Sequence, residues 1–203
     1  MTRRGYERAK RAFDVVLAVA GGAALAPLLA VITALQLLIH GRPVLFPQAR
    51  VGRYEVPFVM LKFRSMRGGP GPDGNRLTAF GRFLRRSSID ELPQLVNVLR
   101  GEMSLVGPRP TRLDYVTRMT PGQRRRHEVP PGITCIAQVS GRNALSWQEK
   151  FQLDVEYVER RSLGLDLALL ARTVGVVLGG RGVTAAGVPT GRRFAEEGAR
   201  IDR

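Results

Sequence analysis

From Val15 to Ile39 the chain reads VVLAVAGGAALAPLLAVITALQLLI, with no charged side chain and only Thr33 and Gln36 clearly polar. At about 1.5 Å per residue, a helix of that length reaches across a ~30 Å hydrocarbon core. Beyond it the pattern changes. Residues 43–66, PVLFPQARVGRYEVPFVMLKFRSM, mix short β-prone pieces with turn residues and predict short strands. Residues 67–76, RGGPGPDGNR, carry too much Gly and Pro for a regular element and read as a flexible loop. Leu77 to Arg86 predicts a short basic helix. A stronger helix starts near Asp90, where Leu92, Leu95, Val96 and Leu99 fall at i, i+3, i+4 and i+7 on one apolar face. Pro93 fits that helix only in its first turn, where backbone N–H groups lack partners. Trp147 to Arg161 is helical and highly charged. Residues 163–178, LGLDLALLARTVGVVL, are apolar but short for a span, which suits either an interfacial helix or a buried core helix.

The long apolar run allows a cleaved signal peptide, a spanning helix or a re-entrant hairpin. Although a basic region and a small-residue ALA at 24–26 precede a possible cleavage point, the apolar run continues well past it, further than a signal peptide needs. Arg3, Arg4, Arg8, Lys10 and Arg11 precede the run and Arg42, Arg50, Arg53, Lys62, Arg64 and Arg67 follow it, so the positive-inside bias draws both ends to the cytoplasmic face. Pro27 near the centre, with Gly21 and Gly22 beside it, supplies a place to bend. Together these favour a hairpin broken at Pro27 over a kinked span, which membranes also tolerate. Asp14 is expected at the membrane interface among the arginines.

Charge narrows the partners. There are 32 Lys+Arg against 17 Asp+Glu, a net charge of +15, which calls for an anionic partner: nucleic acid, an anionic leaflet or a phosphorylated substrate. Few aromatics and no helix-turn-helix or RNP pattern speak against nucleic acid. The single Cys135 excludes an internal disulfide and a cysteine-based zinc site. No P-loop, HExxH or strand-bounded GxGxxG pattern is present.

Chemistry concentrates in residues 87–110, SSIDELPQLVNVLRGEMSLVGPRP. Asp90 at a helix start, with Arg85 and Arg86 nearby, reads as an exposed, ionised carboxylate and a possible nucleophile. Ser88-x-x-Glu91 also reads as a capping box, which by itself explains both acids. Pro108 and Pro110 fix the backbone around Arg109, whose guanidinium suits bidentate phosphate binding. KFRS (62–65) and SGRN (140–143) add cations in or beside turns, and together these groups can surround a diphosphate.

These segments, with RVGRYEVPFVMLKFRSM before them and PPGITCIAQVSGRNALSWQEKFQLDVEYV after, resemble the bacterial sugar transferases, the monotopic polyprenyl-phosphate phosphoglycosyl transferases that initiate surface glycan assembly. The resemblance runs from about Lys10 to Val177 and suits the small members of that family. Glu102 stands where the family pattern has Asp, Cys135-Ile136 where Gly-Trp is common, and Ser140 where Asn is. The first departure conserves the acid; the others bear on sugar or nucleotide preference. The resemblance implies that Asp90 is a nucleophile attacking the β-phosphorus of a UDP-sugar, releasing UMP and leaving an aspartyl phosphosugar. It implies that Glu91 is its dyad partner, that Mg²⁺ sits near Asp90, and that Lys62, Arg85, Arg109 and Arg142 hold phosphates. The acceptor implied is polyprenyl (undecaprenyl) phosphate, and the product initiates an exopolysaccharide, capsule, O-antigen or glycoprotein glycan.

The expected protein is mainly α with short β pieces, monotopic, with an N-terminal re-entrant helix-break-helix and interfacial amphipathic helices. Residues 1–40 would form the membrane element, 41–178 a catalytic domain at the cytoplasmic face of the bacterial inner membrane, and 179–203 a flexible tail. Anionic membrane lipids are expected partners and nucleic acid is not, while the sequence leaves a homo-oligomer open. The rival is a membrane-tethered basic module that binds anions without turnover, supported by net charge alone.

Overall fold

The computed structural model describes residues 3–70, 73–141 and 144–179, and the expected tail therefore lies outside the described residues apart from Gly179. The chain is mainly helical with short strands. The first helix, α1 (Arg3–His40), runs through Pro27 without interruption, so the proline is carried inside the helix and does not end it. Its buried stripe is spaced by four residues, Tyr6, Lys10, Asp14 and Ala18, and resumes at Ile32 and Gln36. Lys10, Asp14 and Gln36 of α1 thus face protein, while Val16, Val19, Val31 and Leu38 stand exposed, Leu38 at 82 %. This is the reverse of a soluble amphipathic helix, and it is the pattern of one that meets lipid. Asp14, expected among the arginines, is instead buried in protein, accepting from the Leu105 N–H at 3.1 Å with Lys10 Nζ 3.8 Å away.

Strands β1 (Leu45–Val51) and β2 (Pro57–Phe63) form an antiparallel hairpin within the segment expected to hold short strands. After it, the segment read as a structureless loop holds one helical turn, α2 (Asp73–Arg76), followed by α3 (Ala79–Arg86) with Thr78 as its N-cap. A 3-10 turn at Ile89–Glu91 precedes α4 (Gln94–Arg100). The helix expected from Asp90 therefore begins four residues later, with Pro93 at its N-cap. Its buried face is also different: Gln94, Asn97 and Val98 point inward, whereas Val96 and Leu99 are exposed. Asn97 explains the rotation. Its amide accepts from the Leu61 N–H at 3.0 Å and donates to Val59 O and Glu102, both at 2.7 Å, tying α4 to β2. Glu102, the acid that departs from the family pattern, is engaged in that tie.

The remaining elements are β3 (Ser104–Val106), α5 (Pro121–Arg124), β4 (Gly132–Thr134), α6 (Ile136–Ser140), α7 (Trp147–Arg160) and α8 (Leu163–Leu178). Strands β3 and β4 pair in parallel, and α7 and α8 occupy the segments predicted as helices. The main core gathers Ala18 of α1, Phe58 and Met60 of β2, Val98 of α4, Leu105 and Val106 of β3, Tyr157 and Val158 of α7 and Leu169 of α8. A second cluster joins Ile32 of α1 to Phe63 and Leu84. Both flanks of α1 are thus packed on the same body.

Polar anchors fix those flanks. At the N-terminal end Asp166 of α8, fully buried, accepts from Tyr6 Oη at 3.0 Å, Lys10 Nζ at 2.9 Å and Tyr157 Oη at 2.7 Å. Arg11 caps the end of α4 by donating to Val98 O and Leu99 O. At the C-terminal end a relay runs from the Thr78 hydroxyl to His40 Nε2 (3.0 Å), from His40 Nδ1 to Gln36 Oε1 (2.6 Å) and from Gln36 Nε2 to Arg64 O (2.5 Å), with the tautomer assigned from these partners.

Candidate active site

Four elements deliver the site. Lys62 lies on β2 in the same alternation as the inward Phe58 and Met60, so the pleat turns it toward α4. Arg85 sits in the last turn of α3, which docks so tightly on the chain after β2 that a Cβ at Gly81 would lie 1.8 Å from Ser65 O. That approach lets Arg85 Nε donate to Ser65 Oγ at 2.9 Å. Asp90 and Glu91 occupy the 3-10 turn, entered through Ser88 in the left-handed region (φ 58°). Arg109 follows β3, where the Gly107 N–H donates to Thr134 O at 3.0 Å and the Gly132 N–H to Pro108 O at 2.9 Å. From behind, Arg126 donates to Arg109 O at 2.5 Å while pairing with Asp154 at 2.7 Å.

The two acids are treated differently. Glu91 is caged: Lys62 Nζ donates to its Oε1 at 2.7 Å, and Arg109 reaches it with both arms, Nη2 to Oε1 at 2.5 Å and Nη1 to Oε2 at 3.3 Å. No capping box forms, because the Ser88 side chain makes no cap hydrogen bond and the Glu91 carboxylate is spent on the two cations. The fork of Arg109, expected on phosphate, is here engaged with Glu91, although its side chain remains 41 % exposed and open to an anion from the outer side. Asp90, by contrast, receives no hydrogen bond from any described residue and is 7 % exposed, not the exposed carboxylate expected. Burial and then the charge of Glu91 push its pKa above the ordinary carboxylate range, against Lys62, Arg85 and Arg109. Burial acts in the same direction on Glu91, but Arg109 and Lys62 overcome it and hold that group well below the usual range. The pair is therefore split into one locked anion and one uncommitted acid, the pattern by which adjacent carboxylates acquire separate roles.

The structure brings together Asp90, Glu91, Lys62, Arg85 and Arg109, while Arg142 lies outside the described residues. Arg64, a cation of the KFRS segment, turns away to bond His40 O and Arg42 O. Sequence reasoning missed Arg126 and Asp154, which support Arg109. A signal existed: Asp154 interrupts the inward stripe of Phe151, Tyr157 and Val158 on α7, and a buried acid requires a partner. Among the described residues no group of three or more metal-ligating side chains occurs. A divalent ion held by one or two carboxylates and substrate phosphates would not need one, and the free oxygens of Asp90 suit that arrangement.

The long, largely exposed apolar helix is thus fixed to a body that carries a split carboxylate pair among cations, an arrangement that suits a membrane-associated enzyme acting on an anionic substrate. The family described as bacterial sugar transferase matches residues 5–180, and the chain belongs to it. It is 46 % identical over 195 residues to the uncharacterized sugar transferase EpsL of Bacillus subtilis (strain 168), covering 93 % of this chain and 96 % of that protein. It is 40 % identical over 190 residues to a UDP-glucose:undecaprenyl-phosphate glucose-1-phosphate transferase of Caulobacter vibrioides, covering 86 % and 71 %. An undecaprenyl-phosphate galactose phosphotransferase of Salmonella typhimurium is 34 % identical over 209 residues, and there the chain spans 42 % of the relative's length.

Proposed function

We propose that the protein transfers a sugar phosphate from a UDP-sugar to undecaprenyl phosphate through a covalent intermediate on Asp90. The observation that carries this reading is the uncommitted Asp90 carboxylate beside a fully engaged Glu91; the names of the Caulobacter and Salmonella relatives support the substrates. An Asp90 oxygen attacks the β-phosphorus of the donor, forming a P–O bond as the bond to the bridging oxygen breaks and UMP departs. An oxygen of the acceptor phosphate then attacks the same phosphorus, giving undecaprenyl diphosphate-sugar and freeing the carboxylate. Arg85, and the outer side of Arg109, hold the diphosphate, together with Arg142. Lys62 and Arg109 keep Glu91 in place, so that its charge maintains Asp90 as the more basic acid. Mg²⁺ bound by Asp90 and the diphosphate would neutralise charge on the leaving phosphate.

The test is a half-reaction. UDP-glucose or UDP-galactose mixed with enzyme and Mg²⁺, without acceptor, is expected to release UMP up to one equivalent of active sites and then stop. Steady UMP release without a plateau, or none until acceptor is added, would refute a covalent intermediate.

We further propose that α1 enters and leaves the same leaflet, bending at Pro27, which places the site at the cytoplasmic face of the inner membrane. Basic residues at both ends, the docking of both flanks on one body and the exposure of the middle of α1 support this reading. Because Cys135 is buried, thiols introduced at Arg8 and Tyr54 dominate labelling. In intact cells neither should react with an impermeant maleimide, and labelling of one end from outside would establish a span instead. On this reading α8, with Leu167 and Val174 exposed, also lies in the interface.

A further inference from the structure

Beside the carboxylate pair a groove of about 230 Å³ opens between the 3-10 turn, α4, β3, β4, α6 and α8. Ser88 and the caged Glu91 line it, as does Gln138, while most of its wall is apolar, with Leu92 and Leu95 from the turn and α4 and Leu170 and Val176 from α8. The two threonine hydroxyls that line it are already satisfied. Thr173 donates to Leu169 O and accepts from the Thr134 hydroxyl, both at 2.7 Å, so neither hydroxyl seeks a ligand. Of the apolar stripe expected to be core, the half-buried Leu92 and Leu95 line the groove, while Val96 and Leu99 are exposed.

Resting on the function proposed above, we infer that this groove seats the phosphate-proximal isoprene units of the polyprenyl acceptor, with the acceptor phosphate turned toward Asp90. Charge and shape both favour that occupant. An apolar chain ending in an anion matches a trough lined mainly by apolar side chains and reaching Glu91, the carboxylate held by Lys62 and Arg109. The volume sets the share that is bound: it falls below the ~300–1,000 Å³ typical of pockets that enclose a whole drug-sized ligand. The groove takes the start of the chain, and the remainder leaves along the exposed apolar face of α8, past Val174, toward the lipid. Acceptor recognition is thereby confined to the first isoprene units, and donor recognition uses none of these walls.

Two measurements on the full chain test the assignment. In the first, an undecaprenyl phosphate analogue with a diazirine in its first isoprene units is photolysed with purified enzyme in nanodiscs, and labelled peptides are mapped. Labels on residues 87–105, 133–139 or 163–177, displaced by undecaprenyl phosphate, are expected. Labels confined to α1, or displaced equally well by a phospholipid, would overturn the assignment. In the second, Val139→Trp fills the groove and Val176→Asp places a charge at its mouth. Each should raise the acceptor KM about tenfold or more, while UMP still forms from donor alone. Unchanged acceptor KM in both variants would overturn it. The labelling needs no turnover, so it decides the groove even if the half-reaction shows the covalent mechanism to be wrong.

Discussion

Replacing Asp90 with Asn is expected to abolish UMP release in the absence of acceptor and to remove lipid-linked product. The amide keeps the volume of the carboxylate but has no anionic oxygen to form a bond to phosphorus. Loss of a covalent nucleophile costs on the order of 10⁴–10⁶ in rate where it has been dissected. Mass analysis of the wild-type enzyme mixed with donor should place the phosphosugar on the peptide carrying Asp90. An Asp90→Asn enzyme that makes product at a comparable rate would remove this residue as nucleophile. The pH dependence supplies a second, independent reading. A nucleophilic Asp90 would attack only when ionised, and burial and Glu91 raise its pKa, so the acid limb of the half-reaction should lie above the ~3.9 of an ordinary aspartate. Glu91→Gln removes the like charge and releases Lys62 and Arg109 toward Asp90. Both changes favour the ionised form, so that limb should move to lower pH even as the rate falls. An upward shift, or none, would show that Glu91 does not set the ionisation of Asp90.

Lys10→Met is expected to produce a large loss of stability from a substitution outside the site. Lys10 is 7 % exposed and bonds an Asp166 that is fully buried, so its removal strands a carboxylate with two tyrosine hydroxyls for partners. Breaking one side of a buried pair costs about 3–5 kcal/mol, which for a chain of this size lowers the melting temperature by roughly 10 °C. Pairing Lys10→Met with Asp166→Asn removes both charges and should recover much of the loss. If the two changes instead add, the ion pair is not what joins α1 to α8. Thermal unfolding in one detergent at one pH, with all four proteins of the cycle, measures the coupling directly.

Much of the architecture is local and was legible in the sequence. The apolar run marked α1, the β-prone pieces of residues 43–66 marked the strands though not their pairing, and α7 and α8 fell where the helical patterns placed them. What was not legible depends on distant partners. Nothing near Val96 and Leu99 says that they face outward; that follows from Asn97, whose amide finds Val59 and Leu61 across the fold. Asp14 read as an interfacial acid because Leu105, whose N–H donates to it in the interior, is 91 residues away. The site was legible only through the resemblance. From spacing alone Ser88 and Glu91 made a credible capping box, and only the approach of Lys62 and Arg109 distinguishes the caged acid from its uncommitted neighbour.

The anchors at both ends of α1 also bear on how the enzyme meets membranes of unequal thickness. A single helix relieves a mismatch with the bilayer by tilting. Here Tyr6, Lys10 and Arg11 fasten one end and Gln36 and His40 the other, so the helix has no independent tilt to spend. On the re-entrant reading proposed above, the lipid deforms around a wedge of fixed depth, and the height of Asp90 above the acyl chains becomes a property of the bilayer, as open to tuning by its composition as by mutation.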